Sequence, residues 1–268
     1  MIKKRLIPIL LLKNGFLVQS KNFKYHSNIG HPMQAVKRLS QWCSDELIYL
    51  DISRDEIYDI HREDHGYQNY NDFLSIIDEV SKLTFMPITV GGKICNLFDV
   101  EKRFRYGADK ICINTAPLEN PDFINQIAKE FGSQSIVISI DVKLINGKHE
   151  IFYKFGKKKA NYSLSEWLKI IQDKGAGEVL INSIDKDGSK TGYDMQLLDY
   201  VSKNCKIPII ACGGAGKNED FLDVLSHKSV DAAAAANFFH HSDHSVYNVK
   251  KYLYENKLNV RKADIINI

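Results

Sequence analysis

Acidic residues that directly follow apolar runs are the residues of this sequence best suited to proton transfer. The aspartates at such positions are Asp51, Asp141, Asp185 and Asp187. An aspartate that ends a buried strand can act as a general acid or base, hold a ligand hydroxyl or cap a following helix. We predict acid–base chemistry or ligand binding for Asp141 and ligand binding for Asp187. For Asp51 the alternatives stay open.

A glycine-rich segment after another apolar run predicts a phosphate site. The segment GGAGK (213–217) stands between the run IPIIAC and the predicted helix NEDFLDVLS. Glycines let backbone N–H groups approach an anion, and a helix N-terminus favours negative charge. Gly91-Gly92 occupies the equivalent place earlier in the chain, where a simple tight turn is an equal explanation because Lys93 interrupts the glycines. The residues predicted to hold phosphate or substrate are Asn114, Thr115, Asp187, Gly213, Gly214 and Asn237.

The sequence contains an internal repeat that predicts the fold. LIPILLLKNG (6–15) resembles SIVISIDVKLING (135–147), and FMPITVGGKI (85–94) resembles KIPIIACGGAG (206–216). Each repeat has several short apolar strands separated by helical segments, so each is half of a domain. Two such halves predict one closed (β/α)8 barrel, a single domain over residues 1–268 with half-repeats of about 5–120 and 135–240.

Continuous apolar runs locate the strands of this predicted parallel barrel. They lie near 6–12, 47–51, 87–90, 110–113, 136–141, 179–182, 208–211 and 231–235. Apolar residues at helical spacing predict helices over 31–43 and 164–177. Two long connections, 53–72 and 143–161, follow strand ends on the face where such barrels hold their sites, and the second reads as a hairpin around Asn146-Gly147.

One position breaks the repeat in a way that matters for chemistry. Leu11 aligns with Asp141, so one side of the predicted barrel mouth has a carboxylate and the other an isobutyl group. If the ancestral chemistry needed a carboxylate on each side, one side has been lost.

Composition argues against several classes of protein. The 268 residues have a net charge of +3, too weak for a nucleic-acid binder, and no apolar run approaches the length of a membrane span. Five cysteines without CxxC spacing favour reduced thiols and a cytoplasmic location. His61 and His65 have the spacing of a metal pair but no third ligand, and residues 240, 241 and 244 predict a surface histidine cluster. We therefore predict no metal and no cofactor.

Longer motifs carry a resemblance to a known family. They are ADKICINTA (108–116), FGSQSIV (131–137), GAGEVLINSIDKDGSKTGYD (175–194) and IPIIACGGAGK (207–217). Through them, residues 4 to about 261 resemble the cyclase subunit of imidazole glycerol phosphate synthase. In that family a glutaminase subunit docks on the N-terminal face of the barrel. Ammonia then passes through the barrel to a bisphosphate substrate, and aspartates at the ends of strands 1 and 5 perform the acid–base steps.

The resemblance implies roles for individual residues. It assigns catalysis to Asp141, whereas the aspartate of strand 1 falls on Leu11 and a loop lysine falls on Gln19. A phosphate-site glycine falls on Lys93, and a phosphate-site serine falls on Asn237. The resemblance adds Gly188 to the residues predicted to hold phosphate or substrate. The resemblance also implies a contact between Asp109 and the glutaminase. The ammonia gate that it implies consists of Arg5, Glu46, Lys110 and Glu178.

The residues of the gate are retained, whereas several residues of the cyclase site are changed. In this combination the chain is similar to a subgroup associated with amidation of surface sugars in lipopolysaccharide. The partners implied are a HisH-like glutaminase and a separate ATP-dependent enzyme that amidates a nucleotide sugar or other phosphorylated small molecule. An authentic cyclase subunit of histidine biosynthesis stays open, although losing a general acid or base costs about 10²–10⁴-fold in rate. A non-catalytic scaffold that activates a glutaminase also stays open, although four ionisable groups on a barrel floor are costly unless paired or used.

Overall fold

The computed structural model describes residues 2–54, 58, 70, 72–240 and 243–264. Its strands are β1 (Arg5–Lys13), β2 (Phe16–Lys21), β3 (Tyr25–Gly30), β4 (Leu47–Asp51), β5 (Ile88–Gly91), β6 (Lys110–Ile113), β7 (Ile136–Ile145), β8 (Lys148–Tyr153), β9 (Lys158–Ser163), β10 (Glu178–Ser183), β11 (Ile209–Cys212) and β12 (Ala232–Ala235). Its helices are α1 (Pro32–Gln41), α2 (Phe73–Leu83), α3 (Leu97–Arg105), α4 (Thr115–Glu119), α5 (Asp122–Phe131), α6 (Leu164–Asp173), α7 (Met195–Asn204), α8 (Asn218–Ser226) and α9 (Ser245–Glu255).

Eight parallel strands close into a barrel, which confirms the predicted (β/α)8 fold. Their order is β1, β4, β5, β6, β7, β10, β11 and β12, and β12 pairs again with β1. These strands are continuous apolar runs because helices cover their outer faces and the barrel interior covers the inner ones. Every strand position predicted from the apolar runs coincides with one of these eight strands.

Alternation along each strand builds the interior of the barrel in layers. Residues two apart on a strand face the same side of the sheet. In β1 the inward series runs from Arg5 through Ile7 and Ile9 to Leu11. Charged side chains therefore stand at the strand starts, and the middle of the barrel is apolar. That middle layer consists of Ile7, Ile9, Ile48, Cys112, Val137, Leu180, Ile210, Ala232 and Ala234.

The first strand of each half extends beyond the barrel into an antiparallel hairpin. β1 continues into β2 through Asn14-Gly15, and β7 continues into β8 through Asn146-Gly147. Both asparagines have φ of 50°, and the glycines have φ of 80° and 76°, the left-handed conformations that a two-residue hairpin turn requires. The structure confirms the hairpin predicted at residues 146–147. The equivalent hairpin β1–β2 of the first half was not predicted.

Two helices predicted from apolar spacing begin where they were expected and end a few residues early. α6 starts with a capping box between Ser163 and Glu166 and buries Trp167 against the barrel. It ends at Asp173, two residues before Gly175, whose φ of 95° is incompatible with a right-handed helix. α1 likewise ends at Gln41.

Some sequence predictions fall outside the residues that the structure describes. These are the histidines His61, His65 and His241 and most of the connection 53–72. Among the described residues, no group of three potential metal ligands comes together. None of the helices described is long and apolar enough to cross a membrane.

Candidate functional site

A cavity of about 440 Å³ opens at the C-terminal face of the barrel. Leu11 and Asp141 both line it, as their equivalence in the repeat predicts. Leu11 pairs with Leu50 of the neighbouring strand β4, and Asp141 pairs with Asn182 of β10. The two halves therefore present an apolar wall and a polar wall to the same space, whose volume suits a small ligand.

Asp141 is the best placed group in the cavity for proton transfer. The Nδ2 atoms of Asn114 and Asn182 donate hydrogen bonds to its two carboxylate oxygens, at 3.0 and 3.2 Å. Burial raises the pKa of Asp141 to about 7, against the opposing effect of these two hydrogen bonds. A carboxyl with a pKa near neutral pH can both give and take a proton. The buried Oδ1 atom of Asn114 has no hydrogen-bond partner in the described part of the chain.

We expect Asp141→Asn to make the protein more resistant to alkaline conditions. Because the native pKa of Asp141 is raised from 3.8 to about 7, the folded state binds its proton more tightly than the unfolded state does. Wild-type stability therefore falls as pH rises from 4 to 7. The carboxyl is partly exposed to the cavity, so water reduces the effect, and we expect the variant to gain about 2 kcal/mol relative to wild type between pH 5 and pH 8.

Urea unfolding of both proteins at the two pH values measures this difference. Asp173→Asn, at the exposed end of α6, controls for the substitution itself. A stability difference between Asp141→Asn and wild type that is the same at pH 5 and pH 8 would contradict the prediction.

The hairpin β2–β3 is fixed over one side of the cavity by two predicted ligand-binding residues. Asn237 accepts a hydrogen bond from Ser20 N at 3.1 Å and donates one to Ser20 O at 2.6 Å. Asp187 accepts from Ser20 Oγ at 2.9 Å and from Phe23 N at 3.1 Å. Burial raises the pKa of Asp187, although the backbone N–H of Phe23 and the Ser20 hydroxyl oppose this. Gly188 lies directly under the hairpin, where a Cβ would be 3.0 Å from Ser20 O.

The Leu11 side of the mouth lacks the amide as well as the carboxylate. β12 lies beside β1 as β6 lies beside β7, and the strand registers make Ala236, and not Asn237, equivalent to Asn114. Asn114 donates to Asp141, whereas the methyl group of Ala236 has no hydrogen to donate. Ala236 and Leu11 both line the cavity.

Most of the predicted phosphate residues lie outside the lining of the cavity. Of that set, only Asp187 lines it. The N–H groups of Gly216 and Lys217 at the start of α8 donate to Asp220. The backbone O of Gly214 accepts from Gly192 N. Phosphate binding at Gly213 and Gly214, and with it a role for Thr115, stays a prediction.

In the first half, a lysine side chain reaches toward the equivalent site. Lys93 has φ of 53° in the place of a third glycine, and its Nζ lies 3.3 Å from the buried carboxylate of Asp51. Asp51 also accepts a hydrogen bond from Ser53 N at 2.9 Å. These contacts tie Asp51 to Lys93 and Ser53, and the alternative roles of Asp51 stay open.

Four charged residues close the opposite, N-terminal end of the barrel. Arg5 contacts Glu46 and lies 3.1–3.2 Å from Glu178, while Lys110 Nζ lies 3.1 Å from Glu46 and 2.8 Å from Glu178. Positive and negative groups alternate around this charged ring. Burial alone would lower the pKa of Arg5, but attraction to the two glutamates outweighs it and raises the pKa. Burial would likewise raise the pKa of Glu178, but Arg5 and Lys110 lower it.

The barrel interior between the charged ring and the cavity has no charged side chain among the described residues of the middle layer. Its one thiol, Cys112, has its pKa raised by burial to about 12, and burial also raises the pKa of Cys212 at the cavity end. Both thiols are therefore neutral near pH 7. A separate groove of about 810 Å³ lies outside the barrel against β8, β9 and α7, and it contains none of the predicted site residues.

Comparison with known proteins places the chain in a family. The model of a family described as histidine biosynthesis protein matches residues 5–245. The chain belongs to this family. Imidazole glycerol phosphate synthase subunit HisF of Lactococcus lactis subsp. cremoris (strain MG1363) is 37% identical over 270 residues, covering 99% of this chain and 100% of that protein. The HisF subunits of Sulfolobus acidocaldarius and of Hydrogenobaculum sp. (strain Y04AAS1) are 39% and 37% identical, each covering 97% of this chain and all of the relative.

The cavity of this member of the histidine biosynthesis family also contains residues that sequence reasoning missed. Lys24 and His26 come from the hairpin β2–β3, and Arg54 follows β4. Asn14-Gly15 between LLLK and FLVQ is a hairpin signal of the same kind as the one recognised at residues 146–147. The hairpin β1–β2 could thus have been predicted, whereas the side chains that β2–β3 brings to the cavity depend on how the chain folds back after β2.

Proposed function

We propose that this chain is the ammonia-conducting synthase subunit of a glutamine-dependent amidotransferase. The observation that carries the proposal is the charged ring of Arg5, Glu46, Lys110 and Glu178 beneath an apolar interior that ends at Asp141. A glutaminase docked over the ring would release ammonia at the barrel floor. A neutral molecule crosses an apolar interior far more readily than an ammonium ion, because burying an isolated charge is costly.

The N-terminal face has the features of a docking surface for such a partner. Phe85, in the loop before β5, is 87% exposed, and Ile2, before β1, is 84% exposed. A partner that covered these side chains would remove their apolar surface from water. Asp109 is exposed nearby and accepts a hydrogen bond from Ile88 N at 2.8 Å, which holds its carboxylate at the start of β5. We propose that the glutaminase covers Phe85 and contacts Asp109.

The docking test uses Phe85→Asp with the glutaminase from the same organism. We expect its dissociation constant to rise at least about 10-fold, because truncating a buried aromatic anchor removes much of an interface's energy. Phe98→Asp is the matched control, since Phe98 is 59% exposed on α3, whose first turn is near the opposite face. Equal affinity of Phe85→Asp and wild type would contradict this docking surface.

We also propose which enzyme receives the ammonia. Leu11 in place of a carboxylate, Lys93 beside Asp51 and Asn237 bound to Ser20 all depart from the cyclase pattern that the resemblance implies. These departures favour delivery to a separate ATP-dependent enzyme that amidates a nucleotide sugar of a surface glycan. The retained Asp141 and the names of the relatives favour the second candidate, a cyclase subunit of histidine biosynthesis.

Genetics separates the two candidates. Under the sugar-amidation proposal, the gene does not restore growth without histidine to a strain that lacks its cyclase subunit, even when expressed with its own glutaminase. Deleting the gene in its own organism then removes amidino groups from surface glycans and leaves histidine prototrophy intact. Rescue of the auxotroph would instead support the cyclase candidate.

A further inference from the structure

Two phenylalanines stand at the tips of the two hairpins that border the mouth of the barrel. Phe23 lies in the turn between β2 and β3, and Phe155 lies in the turn between β8 and β9. Both line the 440 Å³ cavity. They are equivalent in the repeat, because each follows the asparagine–glycine pair of its own half at the same spacing. The mouth therefore receives one aromatic side chain from each half of the barrel.

The two hairpin tips touch each other and are held on the barrel. A Cβ on Gly156 would lie 3.1 Å from Phe23 Cδ2, so the second turn packs against the ring from the first. Asp187 holds the first tip, because its carboxylate accepts from Phe23 N at 3.1 Å and its backbone O accepts from Asn22 N at 3.3 Å. A surface that is ordered before binding loses less conformational entropy when a partner covers it.

The stability of the free chain does not explain aromatic residues at these tips. Phe23 has φ of 57° and Phe155 has φ of 62°, a left-handed backbone that bulky residues rarely adopt and that asparagine and glycine adopt readily. Phe155 is also 54% exposed, and Tyr25, two residues after Phe23, is 71% exposed. Backbone strain of this kind is typical of functional sites. A partner that covered these rings would remove their apolar surface from water.

Lysines accompany the aromatic residues on both hairpins. Residues 13–30 and 143–163 contain nine lysines and one acidic residue, a net charge of +8, whereas the whole chain has +3. The connection 53–72, which follows β4 at the same end of the barrel, has a net charge of −4. The three segments together therefore carry +4, and the remainder of the chain is slightly negative. A positive end of the barrel attracts an acidic partner and increases its association rate.

We propose that the tips of the two hairpins are the docking surface of the separate ATP-dependent enzyme that receives the ammonia. We call Phe23, Tyr25 and Phe155, with the adjacent Lys24 and Lys157, the hairpin surface. The receiving enzyme covers the rings with an apolar patch and faces the lysines with acidic side chains. This inference rests on the proposed function, in which ammonia leaves the apolar interior at this mouth.

The chemistry of ammonia favours a protein at this mouth over a freely diffusing ligand. Amines are protonated in water at pH 7, and an ammonium ion enters an apolar passage at high cost. An enzyme seated on both hairpin tips closes the mouth and takes up the neutral molecule before water protonates it. A small molecule inside the cavity would leave Tyr25 uncovered, because Tyr25 does not line the cavity.

Calorimetry with the purified sugar-amidating enzyme of the same organism tests the hairpin surface in the absence of glutamine and ATP. We expect wild type to bind and Phe155→Asn to lose at least about 10-fold in affinity, because a buried aromatic anchor carries much of an interface's energy. The melting temperature of Phe155→Asn should equal or exceed that of wild type, because asparagine accepts the left-handed backbone. Phe85→Asn, on the N-terminal face, is the matched control and should stay within about 2-fold of wild type.

A second pair of variants tests the charge of the hairpin surface. Lys24→Glu/Lys157→Glu should slow association at least about 5-fold at low ionic strength, and added salt should reduce the difference. Lys37→Glu/Lys169→Glu changes the net charge by the same amount at exposed positions of α1 and α6, and it should change the rate less than about 2-fold. Equal slowing by the two double variants would overturn the proposal, because the attraction would then depend on net charge alone.

Unchanged affinity in Phe155→Asn, or no binding by wild type, would overturn the proposal. Exclusion of the enzyme by saturating glutaminase would also overturn it, because the glutaminase covers the opposite face. If Phe155→Asn does not fold, Tyr25→Asn takes its place with the same outcomes. The genetic test separates this result from the proposed function. Loss of amidino groups in the deletion strain without binding here would overturn the hairpin surface alone, whereas rescue of the histidine auxotroph would overturn the sugar-amidation function itself.

Discussion

Lys110→Ala should destabilise the protein by about 3 kcal/mol in urea unfolding at pH 7. Lys110 bridges Glu46 and Glu178 at 3.1 and 2.8 Å, and the side chains of these three residues are 9–16% exposed. The variant would leave two largely buried carboxylates to share Arg5. An uncompensated buried charge costs far more than a surface ion pair contributes.

Lys174→Ala is the matched control for this result. Lys174 lies 2.5 Å from Asp122, but the two side chains are 36% and 70% exposed, so we expect a loss of no more than about 1 kcal/mol. Similar losses in the two variants would show that the charged ring behaves as a surface ion pair. In the glutaminase complex, Lys110→Ala should also let ammonia escape, so that product formation falls below glutamine hydrolysis.

Purified protein supplied with excess ammonium should turn over the cyclase substrate of its relatives about 10²–10⁴-fold more slowly than a relative with both aspartates. Leu11 cannot transfer a proton. Asp141, which accepts hydrogen bonds from Asn114 and Asn182, therefore has no carboxyl at the equivalent position on the other side of the cavity. Steady-state assays against a HisF subunit that has both aspartates measure the difference. Comparable turnover numbers for the two proteins would contradict the prediction.

The matched variant Leu11→Asp tests the cause of the slow turnover. A carboxylate at residue 11 would meet Leu50 and not an asparagine, because Leu50 occupies the position equivalent to Asn182. We therefore expect a partial gain in rate, well short of the relative. Gln19, Lys93 and Asn237 would still differ from the pattern that the resemblance implies.

The barrel could be predicted from sequence because its strands are short apolar runs repeated in two halves. Residues two apart on a strand face the same side of the sheet, so Arg5 and Leu11 both face the barrel interior, at opposite ends of β1. The same spacing relates Glu178 to Asn182 along β10. Such local patterns can be recognised without knowledge of tertiary contacts. They place Asp141 at the strand end on the barrel mouth, whereas the members of the charged ring follow from the resemblance to the cyclase subunit.

The contents of the cavity could not be predicted in the same way. Asn237 was expected to bind phosphate, but its amide pairs with Ser20, 217 residues earlier in the chain. Lys24 and Arg54 lie in polar connections with no apolar periodicity, and both line the cavity although they follow different strands, β2 and β4. Long-range placement of polar loop residues has no local signal in the sequence.

Transfer of labelled nitrogen tests the central claim most directly. The reconstituted complex of this chain, its glutaminase and the sugar-amidating enzyme is given glutamine with a ¹⁵N amide in a buffer containing excess unlabelled ammonium. Mass spectrometry then measures ¹⁵N in the amidated sugar. If the barrel conducts ammonia, the product carries the glutamine nitrogen, and Lys110→Ala lowers the labelled fraction. A labelled fraction in wild type equal to that of the bulk ammonium would show that ammonia leaves the complex before reaction, and it would contradict the account.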